Sequence, residues 1–277
     1  MTPDEYCQQK AAQSGSSFYY SFLFLPPERR RAITALYAFC REVDDAVDEP
    51  SEASVAQSTL AWWRSEVAQL FAGKPQHPVT RALASAIEPF GITQARLNEI
   101  MDGMEMDLNQ SRYLDFTGLQ LYCHRVAGVV GALAAAIFGY RNPKTLGYAE
   151  RLGLAFQLTN IIRDVGEDAR KNRIYLPMDE LKRFDVGAAD ILNGRYTDNF
   201  ARLMCFQAER ARRCYDEALA LLPPEDRRAQ RPGLVMAAIY RTLLDEIASD
   251  GYQVLKARTV LTPVRKLWIA WRTWVTA

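Results

Sequence analysis

The chain has 277 residues, 49% hydrophobic and 24% charged, enough apolar sequence for one large domain with a sizeable core. Its net charge of +1 supplies no field for nucleic acid, and no RNA- or DNA-binding motif occurs. Five cysteines (Cys7, Cys40, Cys123, Cys205, Cys214), without Cys-x-x-Cys spacing, read as reduced thiols of a cytosolic protein.

Apolar residues recur at helical spacing almost throughout, and no alternating strand pattern appears. The pattern predicts helices over 3–13, 28–48, 53–72, 78–89, 93–110, 116–139, 144–168, 178–183, 197–222, 232–258 and 263–275. Prolines and glycines mark the breaks, at Pro26-Pro27, Pro50, Gly73–Pro75, Pro89, Asn142-Pro143, Pro177, Pro223-Pro224 and Pro232-Gly233. Thr93 and Thr197 suit helix N-caps. Asp4 and Glu5 argue against a signal peptide, and no unbroken apolar run reaches the roughly 18 residues a membrane span needs.

The second predicted helix ends in an unusual way. Asp44 and Asp48 stand one turn apart on one face, with Asp45 between them and Tyr37, Arg41 and Asp45 on the next stripe. Like charges at this spacing weaken a helix, and its C-terminal dipole disfavours anions as well. A divalent cation would explain them. Asp102, Glu105 and Asp107, in the fifth helix, read instead as an exposed polar face, with the neighbouring methionines turned inward.

In the 116–139 helix, small residues from Ala127 to Ala135 leave room for close packing or for one wall of a cavity. The 144–168 helix then repeats the acidic pattern: Asn160, Asp164 and Asp168 share a stripe, with Gln157 and Arg163 adjoining. Oxygen ligands without Cys or His suit Mg²⁺, which binds through a few carboxylates plus substrate phosphates. Asp44, Asp48, Asn160, Asp164 and Asp168 are therefore the candidate metal ligands. Arg170, Lys171 and Arg173 follow as a basic segment able to fold over an anion. His77 and His124 suit inert or packing roles. The last helix mixes three tryptophans with Arg265, Lys266 and Arg272, as interfacial helices do.

Four stretches carry a family resemblance: Ser17–Phe18, Tyr37–Asp48, Tyr122–Gly131, and Gln157–Asp168 continued by Arg173–Pro177. In this order they resemble the squalene/phytoene synthase family over nearly the whole chain. The resemblance implies an all-α, single-domain isoprenoid-synthase bundle over residues 1–277 around a central hydrophobic cavity. It also implies a Mg²⁺-dependent prenyltransferase. Asp44, Asp48, Asp164, Asp168, Tyr37 and Arg41 become the catalytic set. Arg41, Arg163, Tyr37 and Tyr252 offer donors to phosphate. The family's pattern adds Ser17, Phe18, Tyr122, Val126, Gln157, Asn160 and Arg265 as substrate contacts.

Within the family, the wording around Ser14–Pro26 most resembles enzymes that join two farnesyl diphosphates and stop at presqualene diphosphate, in hopanoid biosynthesis. The alternatives are a phytoene or dehydrosqualene synthase, or a complete NADPH-dependent squalene synthase. A catalytically dead assembly factor fits poorly with the retained acids and arginines. The expected setting is the cytoplasm, with peripheral membrane contact through the last helix and downstream enzymes of squalene formation as partners.

Overall fold

The computed structural model describes all residues except 14–20, 23 and 49–51. Ser17 and Phe18 therefore lie outside the described residues. Helices account for the architecture, and the one β pairing among the described residues is a parallel bridge between Arg112 and Ile174.

The first half comprises α1 (Pro3–Gln13), α2 (Pro27–Asp48), α3 (Ala53–Phe71), α4 (Pro78–Phe90) and α5 (Gln94–Asn109). Leu36, Phe39 and Val43 of α2 are fully buried among Trp63 and Val67 of α3, Leu83 of α4 and Ile100 of α5. The buried Glu66 carboxylate accepts from the Gln76 and His77 backbone and from Thr80, fixing the turn into α4. His77 is more than a loop residue: its Nδ1 caps α4 through Val79 N–H at 3.2 Å. Pro89 does not break α4 but sits in its last turn, and the helix stops at Gly91, whose φ of 62° suits glycine.

The second half begins with α6 (Phe116–Cys123), passes through one π-helical turn (His124–Gly128) and resumes as α7 (Val129–Phe138). This run is long and apolar enough to cross a membrane by length and composition. Counting unbroken apolar stretches missed it because His124 and Arg125 interrupt. Here Leu119, Cys123, Val129 and Ile137 are buried in the bundle.

Next come α8 (Lys144–Arg170), the short α9 (Met178–Arg183) and α10 (Ala188–Leu192), α11 (Asp198–Leu221), α12 (Arg231–Ser249) and α13 (Pro263–Thr276). Helix α10 was not expected, and α12 ends nine residues before the predicted 258 because Gly251 and Tyr252 both take positive φ. A second core joins α6, α8, α11 and α12 around Tyr148, Ile162, Phe200 and Tyr215. Val126 of the π turn touches both cores. Asp226, buried beside α12, accepts from the Arg141 and Asn142 backbone and from Thr145 (2.6–3.0 Å), which locks the start of α8.

Candidate active site

Two acidic helix faces meet at one end of the bundle. On α2, Arg41 forks across its own helix, to Asp44 at 2.7 Å and Asp45 at 2.6 Å. Lys10 of α1 holds Asp45 from the other side at 2.8 Å. Asp45 thus orients Arg41, as its offset stripe suggests. Burial pushes the Asp44 carboxyl up to about 6 despite Arg41, and the Asp48 and Asp45 charges push the same way.

On α8, Arg163 chelates the neighbouring Asp164, with Nε at 2.7 Å, and hydrogen-bonds Tyr240 of α12. Arg258, between α12 and α13, reaches the same carboxylate at 2.9 Å. Asp168, one turn on, has no ion pair among the described residues, and burial followed by the Asp164 charge pushes it up to about 7. The Asn160 side-chain N–H donates to Gln157 at 3.3 Å, while its Oδ1 is buried without a partner.

The basic segment after α8 is a strap across the two faces. Lys171 and Arg173 donate to the two oxygens of Asp48, at 2.7 and 2.9 Å. Burial would raise the Asp48 pKa, but these two donors outweigh it and hold the carboxyl below its usual range. The strap is anchored by backbone bonds from Ile174 to Ser111 (3.0 Å) and Met178 to Tyr113 (2.9 Å), and by Arg112 to the Asn172 carbonyl at 2.6 Å. Ile174 and Leu176 are buried beneath it.

Asp107 belongs to this site, contrary to the sequence reading of its helix as a polar face. Tyr122 and Tyr175 donate to its two oxygens at 2.9 and 2.8 Å, and the rings stack at 5.2 Å. Burial pushes its carboxyl up to about 6, against the pull of Arg173 and the two hydroxyls. Asp102 and Glu105 do behave as surface acids, sharing Arg64.

Below the carboxylates lies an apolar cavity of about 950 Å³, counting all the space that atoms leave empty, open solvent at its mouth included. Tyr37 and Leu36 of α2, Val126 and Val130, Phe156 of α8 and Met236 of α12 line it, and Gln157 and Asn160 stand at the acidic end. Gly153 also borders it, but a Cβ there would come within 2.4 Å of the Ala127 carbonyl. Gly131 likewise faces the Ala149 carbonyl, so both glycines let helices touch rather than widen the cavity.

The profile of the squalene/phytoene synthase family matches residues 11–265. The chain is 38% identical to the phytoene synthase of Arthrospira platensis, covering 95% of this chain and 89% of that one. It is also 38% identical to the 15-cis-phytoene synthase of Synechocystis sp., covering 96% and 84%. A solved dehydrosqualene synthase in complex with ligand superposes with a TM-score of 0.88 at 28% identity, covering 99% of this chain and 96% of that one. The squalene synthase HpnC from Alicyclobacillus acidocaldarius superposes at 0.81 and 28% identity, covering 90% and 94%.

The chain belongs to the squalene/phytoene synthase family. Members of this family are prenyltransferases that condense two prenyl diphosphates head to head, and the all-α isoprenoid-synthase fold expected from the sequence is the one observed.

Of the residues assigned from sequence, the structure gathers Tyr37, Arg41, Asp44, Asp48, Gln157, Asn160, Arg163, Asp164 and Asp168 around the cavity mouth, with Tyr122 and Val126 at its side. Two assignments point elsewhere. Tyr252 follows the chain turn at φ 59° and directs its hydroxyl to Cys205 and Arg212, away from the acids. Arg265 pairs with Glu246 at 2.6 Å on the outer side of α12. Arg258, not singled out from the sequence, joins Arg163 in holding Asp164.

Among the described residues no three acidic, Cys or His side chains converge into a metal cage. The donor set nonetheless fits Mg²⁺ shared with a diphosphate: carboxylates on two facing helices, an orphaned Asn160 Oδ1, and two carboxyls, Asp44 and Asp168, pushed up to about 6 and 7.

Proposed function

We propose that the whole chain is one catalytic domain that condenses two geranylgeranyl diphosphates head to head and carries the product through to phytoene, with Mg²⁺ bound by Asp44, Asp48, Asn160, Asp164 and Asp168. The carotenoid reading replaces presqualene diphosphate as the main one, because the curated relatives that match over nearly the full chain are named phytoene synthases. The anchored strap carries it structurally. Stopping at the cyclopropyl diphosphate requires that intermediate to leave before a second ionisation. A strap pinned by backbone bonds and by the Asp48 ion pairs favours keeping it.

When bound, Mg²⁺ neutralises the diphosphate and stabilises it as a leaving group. Arg41 and Arg163, paired here with Asp44 and Asp164, would donate to phosphate oxygens of the bound diphosphate. Lys171 and Arg173 exclude water above the clamp. Below it, Phe156, Val126 and Leu36 hold the allylic cation in a dry, nonreactive wall. The first C–O bond breaks and the double bond of the second prenyl chain attacks the cation. Loss of a proton then closes the cyclopropane. The second C–O bond breaks next, and loss of another proton ends the sequence with no reductant consumed.

The test is product identification after incubation with geranylgeranyl or farnesyl diphosphate and Mg²⁺, with and without NADPH. Phytoene forming from the C20 substrate faster than any C30 product from the C15 substrate, independent of nucleotide, is the expected result. Presqualene diphosphate accumulating from the C15 substrate would restore the hopanoid reading. Squalene made only with NADPH would make the protein a complete squalene synthase.

A further inference from the structure

The outward face of α13 carries an apolar stripe. Val264, Leu267, Trp268, Trp271 and Val275 fall, at about 100° per residue, within an arc of about 100°. They are 45–77% exposed, while Ile269 and Ala270 on the opposite side are buried. Two adjacent exposed tryptophans on one stripe are not the scattered apolar residues of an ordinary surface.

Charge indicates what covers the stripe. Helix α13 has no acidic residue; Arg272 and Arg265, the latter paired with Glu246, flank the stripe, while Lys266 lies on the far side toward Arg163 and Arg258. Arg272 lies over the Trp268 ring at 5.3 Å, so a guanidinium and an indole are presented together, as the headgroup layer of an anionic membrane accepts them. Pairing two copies of the stripe would instead bring these cations against their equivalents. We infer that α13 docks this protein on an anionic phospholipid bilayer, with its apolar stripe in the headgroup–acyl boundary.

The placement of α13 connects the surface to the cavity. Trp274 packs on Phe24 at 5.1 Å and under Arg231 at 5.6 Å. Phe22 and Pro232, within two positions of Phe24 and Arg231 in sequence, line the cavity at the end where Tyr148 stands. Tyr148 and the mouth residue Asn160 are twelve positions apart on α8, about 18 Å along the helix. Docking through α13 therefore brings the deep, apolar end of the cavity toward lipid. That consequence rests on the proposed reaction, whose hydrocarbon product needs an apolar destination; the docking itself does not.

The test uses the full chain without substrate, so its outcome is independent of which prenyl diphosphate is turned over. Sedimentation with phosphatidylcholine vesicles, with or without phosphatidylglycerol, is followed alongside tryptophan emission. Expected are binding to the anionic vesicles, weakening as salt is raised, and a blue shift on binding. Trp268→Ser combined with Trp271→Ser should lower partitioning by more than about tenfold, with unchanged helicity and turnover of detergent-dispersed substrate. Wild-type protein left in the supernatant with anionic vesicles would overturn the inference. So would double-variant binding equal to wild type, or a wild-type dimer in light scattering that the double variant dissociates.

Discussion

Asp168 carries the least compensated charge of the site. Its folded pKa of about 7 lies above the ordinary carboxyl value of 3.8, so the folded state binds the proton more tightly. Its contribution to stability is full at a pH below the unfolded value and is lost as pH rises through about 7. Asp168→Asn should therefore stabilise the metal-free protein at pH 8 by about 1–2 kcal/mol, a discounted share of the full shift. Urea melts with chelator across a pH series check this: the gap between variant and wild type should close toward pH 4. Asp107 behaves differently. Asp107→Ala leaves the two buried tyrosine hydroxyls without their acceptor and should cost about 2–3 kcal/mol, whereas Asp102→Ala should stay within about 0.5 kcal/mol. Equal effects at the two sites, measured by urea unfolding, would contradict the Asp107 network. The stripes of Asp44, Asp48, Asp164 and Asp168 were legible because i,i+4 carboxylates near buried helices are self-incriminating in sequence. Asp107 and Arg258 were not, since their partners lie 15, 68 and 94 residues away and no local spacing encodes them.

Among the elements, the strap and the π turn decide how the site works. The basic residues at 170–173 announced a cover over an anion, but not that it would be tied to 111–113 by backbone bonds, which depends on tertiary pairing. Arg112→Ala removes the side-chain bonds to Asn172 at a half-buried position. It should shift products from hydrocarbon toward the cyclopropyl diphosphate, read by separating the two fractions. An unchanged ratio would mean the strap does not control release. The π turn was invisible in a sequence that reads as continuous helix, and Gly153 packs directly against it. Because a Cβ there strikes the Ala127 carbonyl, Gly153→Ala should destabilise by about 1–3 kcal/mol and lower activity on C15 and C20 substrates alike. Selective loss of the longer substrate would make Gly153 a chain-length gauge instead.

At the scale of the molecule, two cores share the π turn and enclose one apolar cavity, with acids of both halves at its mouth. The helical class and most helix limits followed from periodicity and proline placement, since each helix buries one face and polar breaks separate them. The length of the prenyl chain did not follow, because the cavity wall is assembled from five elements, α2, the π turn, α7, α8 and α12, whose relative packing no local pattern states. The account stands on the acid clamp of α2 and α8 acting across that mouth. Its most direct test is release of inorganic diphosphate by wild type, Asp44→Asn and Asp164→Asn as Mg²⁺ is titrated, with helicity followed in parallel. The account predicts that each variant stays folded, yet turns over on the order of a thousandfold more slowly at saturating Mg²⁺. Near wild-type release by either folded variant would contradict it.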